Sequence, residues 1–123
     1  MTLSVLDSSI WIEYFAERPK ADKVEPLMHD PARLIVPAVT IYEVYKRLKA
    51  GFDEGIATTA VGRMILSPIV PVDAELAMRA ADVSLETKLA MADSLVLATA
   101  RVHGAELITL DSDFKGLPGV RVL

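Results

Sequence analysis

The chain has 123 residues, 52% of them hydrophobic and 24% charged, a balance that excludes a disordered polymer and indicates an ordinary, rather apolar folded domain. Thirteen basic against seventeen acidic residues leave a net charge of −4, which argues against holding nucleic acid through an overall positive field. There is no cysteine, which removes disulfides, thiolate zinc sites and thiol nucleophiles from consideration. A single domain over residues 1–123 is expected at this length. No uncharged apolar stretch approaches the roughly 20 residues of a bilayer span, and Asp7 and Glu13 interrupt the first apolar run, so a soluble cytoplasmic protein without a leader is expected.

In chain order, "LSVLD" reads as a strand, followed by a helix from about Ser9 to Glu17 that Pro19 ends and a second helix near Lys20 to Met28. "RLIVP" reads as the next strand, then a helix from Thr40 to Ala50 stopped by Gly51, and another from about Glu54 to Leu66. "IVPVD" precedes helices at Ala74 to about Thr87 and about Leu89 to His103, and "ELITLD" and "VRVL" close the chain as strands. Strands alternating with helices predict βαβ units, hence an α/β fold with a mostly parallel sheet covered on both faces. Ligands of such sheets bind outside the carboxyl ends of the strands.

Three predicted strands end in an acid: Asp7, Asp73 and Asp111. Each precedes a possible helix, and aspartate is a favoured N-cap, so position alone does not separate a cap from a ligand. Asp73 needs no further role. The helix after it sets Leu76, Ala77, Ala80 and Val83 on one face against Glu75, Arg79, Asp82 and Glu86 on the other.

Asp93 is harder to explain structurally. It is the single charged residue in "LAMADSLVLATA", a segment apolar nearly all round and therefore expected to be buried. Steps of three and four place Leu89, Val96 and Leu97 beside it, so no cation on its own helix can neutralise it. A favourable helix dipole would account for the position but not for so apolar a setting. Glu43 in "TIYEVYKRL" points away from the stripe of Ile41, Val44, Tyr45 and Leu48; it fits a capping box with Thr40, a surface pair with Lys46 or Arg47, or a ligand. "ITLDSDF" adds Asp111 and Asp113, two carboxylates that an Asx-turn or a shared cation would equally explain.

Taken together, "VLDSS", "TIYEV", "MADSLVLATA" and "ITLDSDF", in this order and over the whole chain, resemble the PIN-domain ribonucleases, specifically the VapC-type toxins of toxin–antitoxin pairs. The resemblance implies a three-layer α/β/α sandwich. It implies that Asp7, Glu43, Asp93 and Asp111 form an acidic quartet holding Mg²⁺ or Mn²⁺, with Asp113 as an additional acid and Ser9 and Thr109 as supporting hydroxyls. Where the family often carries a basic residue beside the Thr109 position, this chain has Leu110, which puts a phosphate contact there in doubt. The implied activity is endoribonucleolytic cleavage of RNA by a metal-activated water, leaving a 5′-phosphate, and the chemistry suits hard oxygen ligands around a hard cation.

Lys46, Arg47 and Lys49, one or two turns beyond Glu43, are candidate phosphate contacts or an ordinary solvated helix end. "IWIEYF" carries more aromatic area than one core stripe needs, and the resemblance implies an antitoxin groove near the early helices, making Trp11, Tyr14 and Phe15 candidate antitoxin contacts. It also implies a homodimer within a toxin–antitoxin complex. No histidine lies in the four motifs; His29 and His103, near predicted helix ends, are expected to meet terminal carbonyls. The alternatives are a Mg²⁺-binding receiver with Asp73 as phosphoacceptor, although no lysine follows "VRVL", and a PIN fold that binds RNA without cutting it. A phosphatase of the haloacid-dehalogenase kind would need its "DSD" at the first strand rather than the last major one.

Overall fold

The computed structural model describes residues 2–123. The described residues contain five short strands: β1 (Ser4–Leu6), β2 (Val36–Pro37), β3 (Ile69–Val70), β4 (Glu106–Thr109) and β5 (Val120–Val122). Pairing is parallel throughout, β1 with β4, β4 with β5 and β2 with β3. An isolated parallel bridge between Ser4 and Leu34, and an Ile35 N–H that donates to the Ser4 carbonyl at 3.0 Å, join the two sheets into the order β3-β2-β1-β4-β5.

Alternation along these strands builds two cores. Leu6, Val36 and Ile108 face one side, while Val5, Ile35 and Leu107 face the other. The first side is covered by α1 (Ser8–Phe15), α2 (Ala21–Val24), α3 (Ala38–Gly51) and α4 (Glu54–Met64), which bury Ile10, Val24, Val44, Leu48, Ala60 and Met64. The second is covered by α5 (Ala74–Thr87) and α6 (Met91–Val102) through Leu76, Ala80, Val83, Val96 and Leu97. The predicted three-layer sandwich is the observed one.

Several boundaries differ, each for a local reason. The helix expected to reach Met28 stops at Val24 and continues as a 3-10 turn over Glu25–Met28, because Pro26 has no N–H for a helical bond. Helix α3 starts at Ala38, two residues before the expected Thr40, so the Thr40–Glu43 capping box does not form. Thr40 is instead fully buried inside the helix with no partner for its hydroxyl. Helix α6 begins at Met91 rather than Leu89. Helix α5 matches its expected span, and Asp73 caps it, its Oδ1 accepting from the Leu76 N–H at 2.8 Å.

After α6 the chain turns through Gly104 in the left-handed region (φ +64°), and the Ala105 N–H reaches back to the Ala100 carbonyl at 2.8 Å. That turn delivers the chain into β4 beside β1. From β1 the chain steps outward through β2 to β3, then crosses back to β4 and β5. The order therefore reverses between β1 and β4, and the crevice at their carboxyl ends is where such a sheet places a ligand.

Candidate metal centre

Asp7 and Asp111 stand at the ends of the two strands that flank this reversal. The Asp7 N–H donates to the Ile108 carbonyl of β4 at 2.9 Å, which pins the residue between the strands. It occupies the cap position of α1, with φ −63° and ψ 159°, yet its carboxylate makes no capping bond. Ser8 and Ser9 are the first two residues of the helix itself.

The Asp7 carboxylate is 2% exposed and is held from one side. Its Oδ2 accepts from the Ser9 hydroxyl and from the Thr109 hydroxyl, both at 2.9 Å. The two hydroxyl oxygens are themselves fixed by backbone donors at 3.0 Å, Leu110 N–H to Ser9 and Asp111 N–H to Thr109. Each hydroxyl has one proton, and both protons are committed to Oδ2. Oδ1 remains buried with no partner. An ionised oxygen in that state costs stability until a cation or donor meets it.

The other acids converge on the same end of the sheet. Asp111 accepts from the Asp113 N–H at 2.9 Å, and the resulting turn, anchored by fully buried Phe114, aims Asp113 back toward Asp111. One carboxylate oxygen from each of Asp93, Asp111 and Asp113 lies within 4.8 Å of the others. Asp93 is half-buried in the first turn of α6. Burial pushes its carboxyl up to about 6, reinforced by the charges of Asp7, Asp111, Glu43 and Asp113. No cation contributes. Glu43 is also raised, by burial first and then by Asp7, against the opposing pull of Arg47 and the Ser8 hydroxyl. Its Oε1 is buried without a partner.

Asp93, Asp111 and Asp113 form an all-oxygen group of a kind that fits a hard divalent ion; Asp7 and Glu43 lie outside that 4.8 Å group, act on Asp93 by charge, and each keep one buried oxygen without a partner. Sulfur and imidazole ligands are absent from the group. Ser8 was missed as a contributor: it is buried beside Glu43, and the first hydroxyl of "DSS" was the signal available for it.

The remaining candidates lie outside this cluster. Lys46, Arg47 and Lys49 are exposed on α3, and Lys49 pairs with Glu54 at 3.6 Å. Trp11 is corrected as an antitoxin contact: it is 2% exposed and belongs to the core, stacked at 6.5 Å on Phe15. Tyr14 and Phe15 are half-buried and do line a surface groove, with Glu17, Arg18 and Pro19. His103 meets the Thr99 carbonyl as expected, at 3.0 Å, whereas His29 pairs with Glu25 at 3.5 Å. Asp73, the phosphoacceptor a receiver would need, is a helix cap after the edge strand β3, so the receiver alternative loses its site.

Comparison with known proteins agrees with this geometry. A chain in a toxin–antitoxin complex from Klebsiella pneumoniae superposes with TM-score 0.80 at 29% identity, covering 97% of this chain and 96% of that one. A VapC toxin from Mycobacterium tuberculosis that cleaves the sarcin–ricin loop superposes with TM-score 0.78 at 17% identity, covering 94% and 95%. DNA-bound VapBC from Salmonella typhimurium gives 0.77 at 17% identity, covering 100% and 98%. No curated protein matches the sequence. The PIN-domain family model matches residues 4–120, which takes in all four acidic segments, and the chain belongs to that family.

Proposed function

We propose that this PIN domain is a Mg²⁺- or Mn²⁺-dependent endoribonuclease of the VapC type, a toxin kept inactive by a cognate antitoxin. The observation that carries the reading is Asp93, a half-buried carboxylate beside four other acids with no protein cation acting on it. The similar chains support the rest: one comes from a toxin–antitoxin complex, and another cleaves an RNA loop.

Asp7, Glu43, Asp93 and Asp111 would hold the ion, with Asp113 at the open side. When bound, the ion supplies a Lewis acid that makes a water nucleophilic at neutral pH and offsets charge on the phosphodiester. The side chains prepare the place. Ser9 and Thr109 fix Asp7 so that Oδ1, not Oδ2, stays unpartnered. Attack by water forms the new P–O bond as the P–O3′ bond breaks, leaving a 5′-phosphate and a 3′-hydroxyl. No histidine is among the acids, so the proton passes to a carboxylate or to solvent.

Two surfaces support the assembly side of the reading. The groove at Tyr14 and Phe15, edged by Glu17, Arg18 and Asp22, suits an antitoxin segment that carries both apolar and charged side chains. On α5 and α6, Met78, Leu85 and Met91 are 65%, 75% and 77% exposed, an apolar face suited to a homodimer. The deciding experiment incubates the purified protein with RNA, with and without Mg²⁺, Mn²⁺ or EDTA. Cleavage is expected only with the metal, and Asp93→Asn should abolish it while the circular dichroism spectrum stays the same. Cleavage in EDTA, or by that variant, would sink the mechanism.

A further inference from the structure

Helix α3 offers more than Glu43. It buries Val44 and Leu48 fully and Ile41 and Tyr45 in part. Tyr42 lies on the flank of the helix, belongs to neither core cluster and is 61% exposed. Its partner is Lys46, whose Nζ sits 5.4 Å from the ring centroid and donates to the phenolic oxygen at 3.3 Å. That contact restrains the ring and covers one of its faces. The other face is left to solvent.

The order of groups around the helix matters. At roughly 100° per residue, Lys46 falls between Glu43 and Tyr42 on the helix circumference. Moving outward from the acids, the surface therefore presents a carboxylate, an ammonium and an aromatic face. Lys46 makes no ion pair among the described residues, whereas Lys49, a turn further on, is drawn to Glu54. On the strand side no cation precedes Asp111, since Leu110 stands there, packed against the core. On the Glu43 side, the cations available to a nucleic-acid phosphate are those of α3, where Arg47 acts on Glu43 and Lys46 lies against the Tyr42 ring.

We propose that Tyr42 stacks an unpaired base of the RNA while Lys46 holds the adjoining phosphate, so that α3 selects a single-stranded segment next to the scissile bond. The inference rests on the ribonuclease reading above. Aromatic faces accept any base, because every base has a π-face, but only a base outside a helix has a face to give. The neighbouring ammonium then registers the backbone without reading sequence. The surface therefore discriminates strandedness rather than sequence.

Binding of a short oligoribonucleotide carrying 2-aminopurine, followed by anisotropy and by 2-aminopurine emission, tests this apart from cleavage when done with the Asp93→Asn protein in Mg²⁺. Unpaired RNA should bind and its fluorophore should be quenched. Tyr42→Ala should weaken binding about tenfold and abolish the quench, and Tyr42→Trp should preserve both. Lys46→Gln should reduce the slope of log affinity against log salt by about one. Duplex RNA of the same sequence should bind about tenfold more weakly and ignore Tyr42. Unchanged binding and quenching in Tyr42→Ala, equal binding of duplex, or an effect of Tyr42→Ala confined to self-association would each overturn the inference. If wild-type protein cleaves RNA in any of those cases, the ribonuclease reading stands without it. If the protein neither binds nor cleaves RNA, that reading falls and takes the inference with it.

Discussion

Asp7 and Asp73 have the same local setting, an acid after an apolar strand and before a helix, and they end up doing opposite things. Asp73 is exposed and spends its carboxylate on the Leu76 N–H, 2.8 Å away, three residues along its own chain. Asp7 is buried, makes no capping bond, and is held instead by Ser9 and by Thr109, a residue 102 positions away. The difference lies in the strand beside each. Asp73 leaves the sheet edge at β3, where solvent and its own helix are the available partners. Asp7 leaves the central strand β1, where β4 supplies a hydroxyl and a second strand-end acid.

The sharpest way to break this comparison is to neutralise both residues. Asp7→Asn should lower RNA cleavage by a hundredfold or more, roughly, since losing a ligand exceeds the usual cost of losing its support. Asp73→Ala should leave cleavage rates as they are and lower stability by about 1 kcal/mol, the ordinary value of a cap. Rate measurements and thermal melts on the same pair decide it. A comparable loss of rate in both would mean that Asp73 belongs to the chemistry after all.

A smaller effect is expected from the hydroxyl that distinguishes the two sites. Thr109→Val removes a donor to Asp7 and an acceptor for the Asp111 N–H while preserving shape. Cleavage should fall about 10- to 100-fold, and stability by about 1–3 kcal/mol for the groups left unpartnered. Full activity at saturating Mg²⁺ would show that Asp7 needs no such support.

The smallest effect concerns the metal-free protein. Because the folded Asp93 carboxyl lies at about 6, above its ordinary 3.8, its ionised form costs stability at neutral pH; that cost shrinks as pH falls through 6 and is gone near 3.8. Without divalent metal at pH 7, Asp93→Asn should therefore melt higher than wild type. Solvent reaching half of the group keeps the gain near about 1 kcal/mol, or roughly 4 °C. The gap should close on acidification toward pH 4, and Mg²⁺ should stabilise only the wild type. A variant that melts lower at pH 7 would refute the account of a strained acidic centre.

Much of this was legible in the residues themselves. Helix α5 follows from an unbroken 3.6-residue pattern after a cap, and Asp93 stood out because a helix so apolar has no cation of its own to offer it. The four acidic segments, in order, carried the family. The misreadings have local causes. Pro26 broke a helix that periodicity continued, and the capping-box alternative for Thr40 and Glu43 failed because "T-x-x-E" keeps its spacing when the helix starts two residues earlier, at Ala38.

By itself, then, the sequence determined which segments are strands or helices, which acids are out of place, and what family these belong to, because periodicity and burial cost are properties of short stretches. Only the tertiary structure decided that Trp11 is core while Tyr14 and Phe15 line a groove, and that Asp7 presents one pinned and one free oxygen. Those facts depend on which strand lies beside which, and on residues a hundred positions apart meeting within hydrogen-bond distance. No local pattern encodes that pairing.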